Sequence, residues 1–126
     1  MPNGPKRILG VLNDLFFTVK INEAAKRAAL PIKFVKSEAD VFAHIGDPET
    51  RPDLIIIDVN CNGIDPLKLI TDLKALDAAK GISLIGYLSH VQGELKQAAQ
   101  EAGCDMVMAR SAFSQNLPQI LKRYAN

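Results

Sequence analysis

The chain alternates short apolar runs with longer segments in which apolar residues recur every three or four positions. The short runs predict β-strands, because a continuous apolar stretch too short for a helix is typical of a strand buried on both faces. The periodic segments predict helices that bury one side. The predicted strands cover residues 7–12, 54–57, 82–88 and 105–109, and residues 32–35, which alternate instead, predict a second strand near an edge of the sheet.

Helices are predicted between these strands and after the last of them, at residues 15–30, 38–46, 66–76, 95–102 and 113–124. Local signals support their ends. Pro31 stops the first helix, and the stretch that begins at Ser37 resembles a capping box. Pro66 suits a first helical turn and Gly103 a position just past a helix end. In the last helix we expect Pro118 to lie in the first turn.

Strand and helix therefore alternate five times. Such alternation calls for a parallel sheet with right-handed helical crossovers and helices on both faces. The leading topology is an α/β, doubly wound, five-stranded sheet in the flavodoxin-like order 2-1-3-4-5. We expect a single domain over residues 1–126, with 1–5 as a loose N-terminus.

Composition narrows the classes of function. The 126 residues are 48% hydrophobic and carry a formal net charge of +1, so there is no electrostatic case for nucleic acid or an acidic membrane surface. No apolar run approaches the roughly 20 residues of a membrane span. Cys61 and Cys104 lack metal-site spacing, and without a signal peptide they predict reduced thiols and a cytoplasmic protein.

Asp58 directly follows the apolar run 54–57. A charge at the end of a buried strand indicates an open site, because α/β sheets bind ligands outside the carboxyl ends of their strands. All parallel strands end on that side, so the residues at their exits should converge. Two carboxylates and a backbone carbonyl suit Mg2+, and a hydroxyl and a cation could hold phosphoryl oxygens. The exit residues are Asn13, Asp14, Asp58, Asn60, Ser89, His90 and Arg110.

These residues carry a resemblance that covers positions 6 to 124. The chain resembles the receiver domain of bacterial response regulators, most strongly from Pro52 to Leu67. No effector domain follows, so the chain is similar to a stand-alone receiver. The matching positions are Asn13-Asp14, Ile56-Ile-Asp-Val-Asn60, Ile64-Asp65, Ser89, Ala102-Gly-Cys-Asp105 and Arg110.

The resemblance implies a role for each matching position. Asp58 would accept a phosphoryl group from a histidine kinase or a phosphotransfer protein. Asp14, Asp58 and the backbone carbonyl of Asn60 would hold Mg2+. Ser89 would bond the phosphoryl group, although a shift of one residue would put Leu88 there. The resemblance further implies a non-enzymatic protein that relays its signal to a downstream protein, and that could pair as a homodimer through the last two strands and the last helix.

The sequence departs from the family pattern in ways that change the chemistry. Asn13 stands where the first acid of the metal-binding pair usually lies, so Mg2+ binding should be weaker. Arg110 replaces a near-invariant lysine, and its planar guanidinium favours bidentate carboxylate pairing. It could therefore bind phosphoryl oxygens, or pair with Asp58 or Asp14 and close the site. The alternative function is accordingly a phosphorylation-independent pseudo-receiver that acts as a protein-binding module.

A nucleotide- or flavin-binding enzyme on the same fold would need a glycine- or hydroxyl-rich phosphate cradle after the first strand. The segment 13–17 is acidic and bulky instead, which argues against that class. Three residues near the site have simpler interpretations. We expect His90 to be an exposed loop residue, Cys61 an inert thiol, and Tyr87 a packing residue in the fourth strand.

Overall fold

The computed structural model describes residues 6–89 and 93–125, which build a five-stranded parallel sheet. Its strands, in chain order, are β1 (Ile8–Val11), β2 (Ile32–Val35), β3 (Leu54–Asp58), β4 (Ser83–Leu88) and β5 (Met106–Ala109). They lie in the spatial order β2-β1-β3-β4-β5, and every neighbouring pair is parallel. The predicted order 2-1-3-4-5 is therefore confirmed, with β3 at the centre of the sheet.

Each crossover contains a helix, and a further helix follows the last strand. The helices are α1 (Leu15–Arg27), α2 (Glu38–Gly46), α3 (Pro66–Lys74), α4 (Gly93–Ala102) and α5 (Arg110–Ala125). Predicted caps are confirmed. The Ser37 hydroxyl accepts a hydrogen bond from the backbone N–H of Asp40 (3.2 Å), and Pro66 occupies the first turn of α3. Gly103 follows α4 with a φ of +122°, a conformation that only glycine adopts without strain.

The helices form a layer on each face of the sheet. Side chains of α1 and α5 pack with Ile8, Leu54 and Ile56, whereas α2, α3 and α4 pack on the opposite face with Leu9 and Ile55. This division follows from the alternation of side chains along a strand. By the same alternation, Asp58 shares the α1 and α5 face with Ile56 and ends the strand there.

Two helix predictions were wrong in detail. Pro118 is in the interior of α5 rather than its first turn, because the helix begins at Arg110, immediately after β5. α1 ends at Arg27 rather than near Leu30, because Ala29 adopts a left-handed φ of +58° and turns the chain before Pro31. A short 3-10 helix, Asp77–Ala79, was not predicted.

Candidate functional site

Asp58 is the C-terminal residue of β3 and lies in register with Tyr87 on β4. Its side chain is only 7% exposed, and it is the single charged residue among the buried side chains in the described part of the chain. One carboxylate oxygen, Oδ1, accepts a hydrogen bond from the backbone N–H of Asn60 (2.9 Å). The loop that follows β3 thus holds the carboxylate at the carboxyl-terminal end of the strand.

Burial raises the pKa of the Asp58 carboxyl above its ordinary value, because desolvation disfavours the charged form. The N–H of Asn60 and the charge of Arg110 act in the opposite direction, and the charge of Asp14 adds to the rise. A carboxylate with a raised pKa is more basic than an ordinary one. Carboxyl groups with a shifted pKa are common at functional sites, and Asp58 lies at the carboxyl-terminal end of the strands, where α/β sheets bind ligands.

Asp14 caps α1 and also pairs with Arg110. Its Oδ1 accepts hydrogen bonds from the backbone N–H groups of Phe16 (2.9 Å) and Phe17 (3.4 Å). Its Oδ2 accepts a hydrogen bond from Nη2 of Arg110, and both side chains of this ion pair are partly buried. Of the two partners expected for Arg110, the structure therefore selects Asp14 rather than Asp58. The pair connects the start of α1 to the start of α5.

Asn13 contacts the loop after β3. Its side-chain Nδ2 donates a hydrogen bond to the backbone carbonyl of Asn62 (3.1 Å). An aspartate at position 13 would have no proton to donate when ionised. The amide therefore does more here than lower the negative charge of the site, because it ties the β1 exit to the loop that carries Asn60.

Asn60 connects this loop to the end of β4. Its Oδ1 accepts hydrogen bonds from the backbone N–H of Ser89 (2.7 Å) and from the Ser89 hydroxyl (3.2 Å). The hydroxyl predicted to bond a phosphoryl group is thus committed to an amide oxygen. Leu88 is buried in the core on the opposite face of the sheet and has no hydroxyl to offer.

Aromatic side chains fill the core beside the site. Tyr87 stacks between Phe17 (5.0 Å between ring centroids) and Phe113 (4.8 Å). The guanidinium of Arg110 lies over the Phe17 ring at 4.8 Å, within range of a cation–π interaction. The expectation that Tyr87 is a packing residue is consistent with this stack. The charged pair is therefore supported from within by aromatic rings.

The Tyr87 hydroxyl is buried and has no hydrogen-bond partner among the described residues. Burial, reinforced by the charges of Asp58 and Asp14, raises its pKa, so the group stays protonated. Leaving a buried hydroxyl without a partner costs about 1–3 kcal/mol. Tyr87→Phe keeps the ring stack and should therefore raise the free energy of unfolding by about 1 kcal/mol, measured by urea denaturation.

Tyr124→Phe is the matched control, because Tyr124 is partly exposed at the end of α5 and water can satisfy its hydroxyl. We expect no measurable change there. A loss of stability in Tyr87→Phe would contradict the assignment of an unpartnered hydroxyl, since it would mean that the oxygen makes a hydrogen bond in the folded protein.

The predicted exit residues fall into three contacts around Asp58. These are the Asp14–Arg110 ion pair, the hydrogen bond from Asn13 to Asn62, and the two hydrogen bonds from Ser89 to Asn60. His90 lies outside the described residues. Cys61 is buried, and burial together with the nearby Asp58 charge raises the pKa of its thiol, which favours the inert form.

Sequence reasoning overlooked Leu15 and Phe16, which are 77% and 68% exposed at the first turn of α1, next to Asp14. A signal for them existed. Phe17 fits the helical period of the buried face, with Ile21 and Ala25, whereas the two apolar residues before it do not. Apolar residues outside the buried stripe of an amphipathic helix indicate an exposed contact surface.

The oxygen atoms around Asp58 are of the kind that Mg2+ binds, because this ion prefers oxygen ligands and commonly uses one or two carboxylates. Asp14 and Asp58 supply two carboxylates and the Asn60 backbone a carbonyl, so the ligand types fit. Asp14 is engaged by Arg110, and a metal ion there would have to displace this cation. Within residues 6–89 and 93–125 there is no group of three or more histidine, cysteine, aspartate or glutamate side chains that could hold a metal ion.

Several solved structures that share this fold are response regulators or receiver domains. The phosphorylated cyanobacterial phytochrome response regulator RcpA aligns with a TM-score of 0.79 and 20% identity over 95% of this chain and 91% of that chain. For the chemotaxis response regulator CheY4 of Vibrio cholerae, the TM-score is 0.80 at 16% identity, over 95% and 98%. For the receiver domain of a Pseudomonas aeruginosa sensor histidine kinase, with a magnesium ion coordinated in its active-site cleft, it is 0.79 at 18%, over 97% and 98%.

The chain thus has the fold of response-regulator receiver domains, over nearly its whole length. A scan against protein-family models and a search of curated proteins gave no match. In the part of the chain that the structure describes, every helix is too short or too polar to cross a membrane.

Proposed function

We propose that this protein is a receiver-type signalling domain in which Asp58 accepts a phosphoryl group from a histidine kinase or a phosphotransfer protein. The observation that carries the proposal is the position of Asp58. It is a buried carboxylate at the carboxyl edge of the central strand, on a receiver fold, with an acid and a cation on the adjacent exits. Its output would be a changed contact with a downstream protein rather than turnover of a separate substrate.

The proposed transfer is a displacement at phosphorus. An oxygen of Asp58 forms a bond to phosphorus while the bond from phosphorus to the donor's histidine nitrogen breaks, and the imidazole leaves. Asp14, Asp58 and the Asn60 carbonyl would hold Mg2+, which would offset the charge of the phosphoryl oxygens. Arg110, which pairs with Asp14 in this structure, would contribute a second cation to those oxygens.

The surface beside the site supports a protein as the phosphoryl donor. Leu15 and Phe16 are exposed next to Asp14 and offer apolar contact area at the mouth of the site. We further propose that the chain is a single cytoplasmic domain. If it forms a homodimer, the contact would use β4, β5 and α5.

A second candidate is a phosphorylation-independent pseudo-receiver that acts as a protein-binding module. The Asp14–Arg110 pair favours it, because this pair neutralises the remaining acid at the β1 exit without a metal ion. The bond from Asn13 to Asn62 favours it as well, because it holds the loop after Asp58 in place by an uncharged contact. In this reading the closed site is a structural unit, and binding to a partner needs no modification.

Intact-mass spectrometry after incubation with acetyl phosphate and Mg2+ separates the candidates. We expect wild type to gain the mass of one phosphoryl group and Asp58→Asn to gain none. The variant should fold, because an amide oxygen can still accept the Asn60 N–H bond and burial disfavours the charge that is removed. Asp77→Asn, at an exposed residue in the 3-10 helix between α3 and β4, should be labelled like wild type. No added mass on wild type, or equal mass on Asp58→Asn, would favour the second candidate.

A further inference from the structure

A groove of about 500 Å3 runs between α1 and α5, on the outer side of the helical layer that faces Asp58. Its floor is apolar and its rim is mostly basic. The floor consists of Ala24, Ala28, Leu117 and Pro118, and the rim of Lys20, Glu23, Arg27, Ser114 and Lys122. The α1 members recur at three- and four-residue spacing, so they form one continuous stripe along the helix.

Small side chains create this groove. Ala24 and Ala28 leave the α1 side of the floor open, and α5 contributes Leu117 and Pro118 opposite them. The floor of the groove between the two helices is therefore apolar.

Charge is strongly segregated between the two faces of the protein. The helices α1 and α5 together carry the cations Lys20, Lys26, Arg27, Arg110, Lys122 and Arg123 and the single acid Glu23. The helices α2, α3 and α4 carry the acids Glu38, Asp40, Asp72, Glu94 and Glu101 and the cations Lys68, Lys74 and Lys96. A net charge of +1 hides this asymmetry.

The three cations on the rim outnumber its single acid, Glu23. Within residues 6–89 and 93–125, Lys20, Arg27 and Lys122 take part in no ion pair, whereas Arg110 is paired with Asp14. Three unpaired cations around an apolar floor complement a ligand that is apolar along one side and acidic on its flanks.

We propose that this groove is a docking site for an acidic amphipathic helix of a partner protein. The apolar side of that helix covers Ala24, Ala28 and Pro118, and its flanking carboxylates pair with the rim cations. Recognition of this kind uses apolar anchors at helical spacing for affinity and charge for orientation. The docking site is separate from Asp58 and does not depend on its phosphorylation.

Other anionic partners fit the groove less well. A nucleic-acid backbone would pair with the cations but leave the apolar floor without a contact, and the groove lining contains no aromatic side chain on which a base could stack. An anionic membrane is flat on this scale and would touch the ridges of α1 and α5 rather than the floor between them.

The test uses a synthetic peptide of about four helical turns, with leucine at every third or fourth position and glutamate elsewhere. Fluorescence anisotropy should show saturable binding to the full chain, and amide chemical shifts should map the contact to the groove. Lys20→Glu combined with Arg27→Glu should weaken binding by about tenfold or more, because two attractive pairs become repulsive. Lys33→Glu combined with Lys36→Glu reverses two charges on exposed lysines outside the groove that, within the described residues, form no ion pair, and it should leave binding unchanged.

Four outcomes would overturn the proposal. The first two are that the peptide does not bind wild type, and that a peptide with lysine in place of glutamate binds as tightly. The other two are that the chemical shifts map the contact outside the groove, and that the groove variant binds like wild type. Tighter binding of a single-stranded oligonucleotide or of phosphatidylserine vesicles at the groove would assign it to another class of partner. Asp58→Asn should bind the peptide like wild type, so this test and the phosphorylation test can fail independently.

Discussion

Phe113→Ala should lower the free energy of unfolding by about 3–5 kcal/mol, which is a large part of the roughly 5–15 kcal/mol that stabilises a typical domain. Phe113 is fully buried and stacks on Tyr87, with 4.8 Å between the ring centroids. Removing its ring leaves a cavity between α5 and the sheet, beside the rings of Tyr87 and Phe17. The effect is measured as a lower midpoint in urea denaturation, analysed with the slope fixed by wild type.

Phe16→Ala is the control, because it makes the same substitution on α1 at a side chain that is 68% exposed. We expect its free energy of unfolding to change by less than about 0.5 kcal/mol. Phe113→Leu keeps most of the apolar volume and should recover much of the loss if the alanine variant is too unstable to purify. Equal losses for Phe16→Ala and Phe113→Ala would show that the aromatic core does not hold α5 in place.

The fold could be predicted from the sequence because each strand signal is local and strong. The run 54–57 has no polar position, so it could only be a strand buried on both faces. The helix ends were less predictable. Pro118 indicated a first turn by its ordinary preference, but the chain enters α5 at Arg110 without a loop, and tertiary packing tolerates the proline inside the helix.

The candidate site could be located from the sequence but its contacts could not. The strand exits converge because parallel strands all end at one edge, and this places Asp58, Asp14 and Arg110 together. The choice between Asp14 and Asp58 as the partner of Arg110 depends on where α1 and α5 begin. Since Asp14 caps α1 and Arg110 opens α5, the two side chains meet across the helical layer. Such long-range geometry leaves no local sequence signal.

Asn13 is the residue whose role in the structure differs most from the role expected from the sequence. In the sequence, Asn13 indicated a missing metal-binding charge or a loop residue that bonds local backbone. In the structure it is a donor to the carbonyl of Asn62, which makes it part of the loop that positions Asp58. Replacing Asn13 with aspartate should therefore raise the affinity of the site for Mg2+ and lower the stability of the metal-free protein.

Asn13→Asp should make the protein depend on magnesium for its stability. Without Mg2+ we expect the free energy of unfolding to fall by about 1 kcal/mol, because a hydrogen bond is lost and a carboxylate faces a carbonyl oxygen. With Mg2+ the new carboxylate joins Asp14, Asp58 and the Asn60 carbonyl as an additional ligand. Stabilisation then reaches about 2.7 kcal/mol at a magnesium concentration one hundred times the Kd. Thermal unfolding with and without Mg2+ measures both effects.

Asn116→Asp is a close control, because Asn116 also donates its side-chain Nδ2 to a backbone carbonyl, that of Ala112 (2.8 Å), and lies on α5 away from Asp58. It loses the same kind of bond and gains the same charge. We expect no gain in unfolding temperature on addition of Mg2+ beyond that of wild type. If both variants respond equally to Mg2+, or if Asn13→Asp does not respond at all, then Asp14, Asp58 and the Asn60 carbonyl do not form a metal site and the pseudo-receiver becomes the better description of this protein.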